Sequence, residues 1–146
     1  LYGINNVGHK LRIMSKELIL PFELYAPIIQ IRYVNKNEPI SYDGIDITKR
    51  KSKLATIGIG YADGWLRLLK PNSSFLLYKK KCKLLGNVTM DSFVLDITNI
   101  KEKTFKEGDY FCLLNNSNIS NVIKNSGIIS YELLTLFGSR LVREYN

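Results

Sequence analysis

Residues 53–67 decide the fold of this chain, and they read Lys-Leu-Ala-Thr-Ile-Gly-Ile-Gly-Tyr-Ala-Asp-Gly-Trp-Leu-Arg. The β-branched, glycine-punctuated first half is typical of a strand. Gly60 and Gly64 then permit a tight turn, which we expect to be exposed. Tyr61 and Trp65 would stand where the strand ends. Functional side chains are common at such places, because the sheet holds them while the turn leaves them accessible.

Further short strands are predicted on both sides of this stretch. Apolar and polar residues alternate over 28–34, and 75–78 and 82–88 flank a lysine-rich reversal that is typical of a hairpin. Two more strand-like segments cover 93–97 and 110–114. Regularly spaced short strands with turns between them predict a mostly β fold, an antiparallel β-barrel or sandwich.

Short helices are predicted near the C-terminus. The apolar residues within 119–123 have helical spacing. Ser130 is the expected N-cap of a second helix over 131–137, because a serine hydroxyl can accept a hydrogen bond from the first free amides. We expect a last strand over 140–145 to close the fold.

Length and composition indicate one ordinary domain over residues 1–146. The apolar fraction of 45% and the charged fraction of 23% are close to globular averages. The net charge of +8 raises one alternative, a basic β-barrel that binds RNA or another polyanion. The lysines, however, cluster at 49–53 and 79–83 beside strand-like segments, where they keep turns and edges soluble. No RNA- or DNA-binding signature accompanies them, so we expect no nucleic-acid partner.

The cysteine and histidine content argues against several kinds of site. His9 is the only histidine, and Cys82 and Cys112 lack CxxC spacing. Zinc sites, Ser-His-Asp triads and Cys-His pairs need more such residues, so we predict no metal. Two unpaired cysteines point to a reducing, cytoplasmic compartment. No apolar run approaches the roughly 20 residues of a membrane span, and we expect neither a membrane segment nor a signal peptide.

The residues alone leave the chemistry open. Tyr61 is most simply explained as a half-buried aromatic whose hydroxyl satisfies a turn. The segment 86–93, Gly-Asn-Val-Thr-Met-Asp-Ser-Phe, is most simply explained as a bend between two strands. Asp91 and Ser92 would then bond local backbone amides.

Together, the two segments resemble the paired signature of alanine racemases. Gly-Tyr-Ala-Asp-Gly-aromatic-x-Arg begins at Gly60, and Gly-x-Val-x-Met-Asp begins about twenty-five residues later, at Gly86. The related decarboxylases carry a cysteine-centred motif that this sequence lacks. The order and spacing of the pieces make the resemblance specific. Four further segments are similar to the family: Leu1-Tyr2-Gly3, Ile40-Ser41-Tyr42, Ser130-Tyr131-Glu132 and Ser139-Arg140-Leu141-Val142-Arg143.

The resemblance implies a pyridoxal-phosphate enzyme that interconverts L- and D-alanine for the bacterial cell wall. In this family the cofactor is bound by a lysine of an amino-terminal barrel, and a tyrosine faces that lysine across the α-carbon. Tyr61 matches this tyrosine and would remove the α-proton of L-alanine. The backbone amide of Met90 matches the group that holds the substrate carboxylate. Tyr131 matches a tyrosine whose hydroxyl bonds the cofactor phosphate.

The resemblance also implies a homodimer with a shared site. Tyr61 and Met90 would complete the site of the partner subunit, whereas Tyr131 would serve the cofactor of its own chain. A (β/α)₈ barrel takes roughly 250 residues, so we expect the cofactor lysine to lie outside this chain and the chain alone to be inactive. Asn87 stands where the family commonly has arginine and Thr89 where it often has cysteine, which leaves the substrate preference open.

Overall fold

The computed structural model describes residues 19–42, 44–69, 73–77, 80–101 and 105–145. The family-like segment at Leu1 to Gly3, and His9, lie outside the described residues. The strands are Leu24–Val34 (β1), Pro39–Ile40 (β2), Asp46–Ile47 (β3), Ser52–Ile57 (β4), Ser74–Leu77 (β5), Lys80–Leu85 (β6), Phe93–Asp96 (β7) and Tyr110–Leu114 (β8). The helices are Ile119–Ser126 (α1) and Ser130–Leu136 (α2).

Six of these strands form one antiparallel sheet in the order β5-β6-β7-β4-β1-β8, and β2 pairs with β3. β1 lies between β4 and β8 in the large sheet and pairs with both of them. Its first residues, from Leu24 to Pro27, pair with β8, and the register from Ile28 to Val34 pairs with β4. A register shift near Ile28 interrupts the second ladder, and such irregularities bend a strand. The sheet is therefore barrel-like, and the predicted mostly β fold is confirmed.

An aromatic cluster fills the centre of the core. Trp65, which we expected at an exposed turn, is only 2% exposed. Its ring stacks on Phe93 with a centroid distance of 6.1 Å and lies at the same distance from Phe75. The expectation for Trp65 was wrong because the turn after β4 folds back over the sheet, where an indole buries a large apolar area.

Two expectations for the last 20 residues were also wrong. Ser130 is the first residue of α2 and is buried, and the N-cap is Ile129, without a side-chain cap hydrogen bond. The segment 140–145 is not a strand, because no neighbouring strand pairs with it among the described residues. Arg143 instead donates from Nη2 to the carbonyl oxygen of Phe137 at 3.1 Å.

In the described part of the chain, no helix is long and apolar enough to cross a membrane. The same residues hold no group of three His, Cys, Asp or Glu side chains that could bind a metal ion. Both cysteines are free thiols, and Cys82 on β6 is fully buried.

The buried indole of Trp65 yields a prediction about stability. Its Nε1–H has no hydrogen-bond acceptor among the described residues. Trp65→Phe therefore removes no hydrogen bond, and we expect a loss of less than about 1.5 kcal/mol in the free energy of unfolding. Trp65→Ala leaves a cavity and should cost about 3–5 kcal/mol. Urea denaturation followed by far-ultraviolet circular dichroism measures both, and equal losses would contradict the expectation.

The thiol of Cys82 yields a prediction about pH. Burial, with the nearby Asp96 charge as a smaller cause, raises the pKa of this thiol from 9.0 to about 11. The folded state then holds the proton more tightly than the unfolded chain, so this contribution to stability is complete below pH 9 and is lost as the pH rises through 11. We expect Cys82→Ala to flatten the fall in unfolding free energy over that interval. The same pair of proteins compared at pH 6 to 8 is the control, where their difference should stay constant.

Candidate active site

The pairing of β4 with β7 brings the two sequence motifs together. Ile57, the last residue of β4, is opposite Phe93, the first residue of β7. In an antiparallel pair the chain that leaves one strand and the chain that enters the other lie at the same end of the sheet. The Tyr61 turn (Gly60–Gly64) and the Met90 bend (Gly86–Ser92) therefore meet there.

Backbone contacts hold the turn against the bend. The amide of Tyr61 donates to the carbonyl oxygen of Thr89 at 3.0 Å, and the amide of Ala62 donates to that of Met90 at 2.9 Å. A Cβ atom at Gly60 would overlap both of these carbonyl oxygens. Gly60 has an extended backbone, with φ of −144°, so the lack of space is the reason for glycine there.

Gly64 ends the turn for a different reason. Its φ of 89° lies in the left-handed region, and a Cβ atom would overlap the carbonyl oxygen of Leu136 at the end of α2. The Tyr61 turn is thus packed between the Met90 bend and α2, whereas the sequence led us to expect an exposed turn. Packing on two sides restricts the position of the Tyr61 backbone.

The side chain of Tyr61 reaches a surface cavity. Tyr61 begins a 3-10 turn over Tyr61–Asp63, and 41% of the residue is exposed. The cavity has a volume of about 300 Å³. It is lined by Ser41, Tyr42, Tyr61, Arg67, Asn87, Val88 and Thr89. Both departures from the family pattern, at Asn87 and Thr89, therefore lie in the wall of the Tyr61 cavity.

Arg67 is a neighbour of Tyr61 that sequence reasoning missed. Its guanidinium carbon lies 5.5 Å from the centroid of the Tyr61 ring, within the range of a cation–π contact. The motif contains this arginine at a fixed spacing, but spacing alone does not show that the chain turns back and stacks the two side chains. The contact restrains the orientation of the phenol ring.

The Met90 bend is closed by Thr89 and Ser92. The Thr89 amide and hydroxyl both donate to the carbonyl oxygen of Ser92, at 2.9 and 2.8 Å. If this segment were only a bend between strands, Asp91 would bond a local backbone amide. Its carboxylate instead accepts a hydrogen bond from Arg140. Within the described residues the backbone amide of Met90 has no hydrogen-bond acceptor, and 53% of the Met90 residue is exposed. A free backbone donor therefore stands beside the Tyr61 turn.

Tyr131 is not brought together with these groups. It is the second residue of α2, is 43% exposed and does not line the Tyr61 cavity. The opposite end of α2, at Leu136, is the end that approaches Gly64. Five residues of α-helix separate the two positions by roughly 7 Å along the axis.

Arg140 connects the two site loops, and sequence reasoning assigned it no role. Its Nε lies 3.1 Å from Asp63 Oδ1, and its Nη2 lies 2.8 Å from Asp91 Oδ1. The hydrogen bond to Asp91, followed by the charge of Asp63, raises the pKa of the guanidinium above its ordinary value. No period or spacing could have shown this bridge, because its members are far apart in the chain.

Fold and site together define a β domain that presents a tyrosine and a free backbone amide at one end of its sheet. A profile of the family described as alanine racemase, C-terminal domain, matches residues 22–145. The chain belongs to this family, which confirms the resemblance recognised in the sequence.

Relatives and solved structures agree with the profile. The chain is 33% identical to the alanine racemase of Brucella ovis, over 99% of this chain and 39% of the relative. It is 34% identical to that of Aquifex aeolicus, over 82% of this chain and 35% of the relative. The structure of the Bartonella henselae alanine racemase, which has covalently bound pyridoxal phosphate, matches with a TM-score of 0.86 and 31% identity, over 99% and 39% of the two chains. The Pseudomonas aeruginosa biosynthetic enzyme matches with a TM-score of 0.87 and 27% identity, over 99% and 40%.

The close approach at Gly60 yields a prediction. We expect Gly60→Ala to push the Met90 bend away from the Tyr61 turn and to cost about 1–3 kcal/mol of unfolding free energy, because backbone oxygens cannot rotate aside. Gly138→Ala is the matched control, since a Cβ atom there meets nothing within 4 Å. It should change stability by less than about 0.5 kcal/mol. Thermal denaturation of both variants compares them, and similar losses would contradict the expectation.

Proposed function

We propose that the protein containing this chain is a pyridoxal-phosphate-dependent alanine racemase that interconverts L- and D-alanine. The chain spans 35–40% of the length of the relatives and solved structures named above. It would form one domain over residues 1–146 and contribute part of the active site, with the cofactor-binding barrel outside it. The observation that carries the proposal is the contact between the Tyr61 turn and the Met90 bend.

The residues of this chain fit part of a pyridoxal phosphate site. Among the described residues that line the Tyr61 cavity there is no lysine, and the family resemblance implies that the covalent lysine belongs to the barrel outside this chain. Tyr131, 43% exposed, can offer its hydroxyl to the cofactor phosphate. When bound, the cofactor withdraws electrons from the α-carbon of the amino acid and so makes its proton easier to remove.

Tyr61 would act as the acid/base group on one face of the substrate. Racemisation needs a proton to leave one face of the α-carbon and a proton to arrive at the other, so a single group on one side is not enough. As a phenolate, the Tyr61 oxygen would accept the α-proton of L-alanine, and the phenol so formed would return a proton to the same face in the reverse reaction. Arg67 would keep the ring oriented for this transfer through its contact with the ring face.

Met90 would hold the substrate through its backbone. A carboxylate is a strong acceptor, and a free amide at a bend is a suitable donor for it. Because Tyr61 and Ala62 bond the carbonyl oxygens of Thr89 and Met90, the donor and the base would keep a constant separation. The exposed side chain of Met90 has a smaller part in this scheme than the loop geometry.

The proposed assembly is a homodimer in which one site draws on two chains. Tyr61 and Met90 would face the cofactor of the partner subunit, and Tyr131 would face that of its own chain. The separation of Tyr131 from the Tyr61 cavity supports this division. We also propose a cytoplasmic enzyme that supplies D-alanine for peptidoglycan, and the free thiols of Cys82 and Cys112 support a reducing compartment.

The polyanion-binding alternative gains no support. The structure does bring basic residues of the two lysine-rich regions together, since Arg50 and Lys80 both donate to Asn99. These two contacts join the start of β6 and the segment before β4 to the residues after β7, so Arg50 and Lys80 have a structural role. The relatives named above are alanine racemases, and they do not favour nucleic acid as a partner.

Replacement of the proposed base tests the proposal. In the full-length protein, Tyr61→Phe removes only the hydroxyl, and we expect the conversion of L- to D-alanine to fall by about 10²–10⁴ because general base catalysis is lost. Tyr110→Phe is the matched control: Tyr110 is 69% exposed on β8 and lies outside the Tyr61 cavity. Unchanged activity in the Tyr61 variant would exclude this residue as the base. Absence of racemase activity in the wild-type full-length protein would overturn the whole proposal.

A further inference from the structure

Arg140 lies in the segment after α2, outside both motifs, and its guanidinium joins them. Its Nε forms an ion pair with Asp63, the last residue of the 3-10 turn that Tyr61 begins. Its Nη2 donates a hydrogen bond to Asp91, the residue after Met90. A single side chain therefore bridges two loops. One carries the proposed base, and the other carries the amide proposed to donate a hydrogen bond to the substrate carboxylate.

The two aspartates are tied to their loops in different ways. Asp63 is 14% exposed, and its Oδ2 accepts the Gly60 amide at 2.9 Å, so it is part of the turn. Asp91 is 63% exposed, and among the described residues Arg140 is its only hydrogen-bond partner. Arg140 therefore adds a side-chain link between the Met90 bend and the Tyr61 turn, beside the backbone bonds that Tyr61 and Ala62 make.

The bridge is better suited to fixing geometry than to adding stability. Exposed ion pairs contribute only about 0–1 kcal/mol to folding. A guanidinium, however, is a rigid plane, so the two carboxylates that contact its Nε and Nη2 are restricted to a narrow range of separations. Catalytic rates are sensitive to such separations, since a misplacement of about 1 Å can cost roughly a hundredfold.

We propose that Arg140 is a positioning residue that sets the distance between the Tyr61 phenol and the Met90 amide by bridging Asp63 and Asp91. This inference rests on the proposed racemase function. Arg140 lies outside the Tyr61 cavity and acts on the substrate only through the two loops.

The main test is Arg140→Gln in the full-length protein, with L- and D-alanine as substrates. We expect kcat to fall by about ten- to a hundredfold. The ratio of kcat/KM for the two directions equals the overall equilibrium constant, so any variant must lower both values by the same factor. The measurement that separates the two faces is therefore the α-deuterium isotope effect on each substrate. It should rise for L-alanine, whose proton goes to Tyr61, and should not rise for D-alanine, whose proton leaves from the other face. A general loss of active protein would leave both isotope effects unchanged.

A second readout does not depend on activity. Hydrogen exchange at the amides of Tyr61 and Ala62, which bond the Met90 bend, should become faster in Arg140→Gln. The amide of Ile28, which donates to Asp109, is an internal control and should keep its exchange rate. Asp91→Asn removes one half of the bridge without altering Arg140 and should change the same two amides in the same direction.

Two further variants sharpen the result. Arg143→Gln removes an arginine of the same segment whose partner among the described residues is the carbonyl oxygen of Phe137, and it should leave both isotope effects as they are. Arg140→Lys keeps the charge but lacks the planar fork, so it should recover only part of kcat. Racemisation by the unaltered protein together with unchanged isotope effects and exchange in Arg140→Gln would overturn this inference alone. Absence of racemisation in the unaltered protein would overturn the proposed function and this inference with it.

Discussion

The antiparallel register that places Ile57 opposite Phe93 is the constraint on which the rest of the molecule depends. β4 is bonded on both sides, to β1 and to β7, so its position in the sheet is determined by two ladders. The chain that leaves β4 and the chain that enters β7 must then emerge together. β4 buries Leu54 on one face and Ala55 and Ile57 on the other, in two separate clusters. A shift of one residue would exchange these faces, so the packing on both of them enforces the register.

The core also controls the loops above it. Trp65 leaves the turn and inserts between the sheet and the rest of the core, where it stacks on Phe93. One aromatic side chain thus links the end of the Tyr61 turn to the first residue of β7. The missing side chain at Gly60 completes the arrangement, because it lets the backbones of the two loops touch. Rigid placement of an exposed tyrosine follows from buried packing directly behind it.

The proposed chemistry is divided in a way that matches these contacts. Tyr61 and the Met90 amide belong to one mechanically connected unit, which Arg140 ties together from the C-terminal segment. Tyr131 stands elsewhere, on α2, whose far end at Leu136 approaches the turn at Gly64. A domain built in this way can offer, as a preformed pair, a base and a hydrogen-bond donor for the substrate carboxylate. The cofactor and the second acid/base group would be contributed from outside this chain.

The sequence by itself determined the six strands of the large sheet, the mostly β class and both motifs, because alternation, β-branching and turn residues act over a few neighbours. It did not predict the two-residue strands β2 and β3. It also carried the family resemblance, and with it the candidate roles of Tyr61, Met90 and Tyr131. Only the tertiary structure decided that Trp65 is buried, that 140–145 pairs with none of the described strands and that Arg140 bridges two loops. The physical reason is that these outcomes depend on pairing and packing between segments distant in the chain, which no local period encodes.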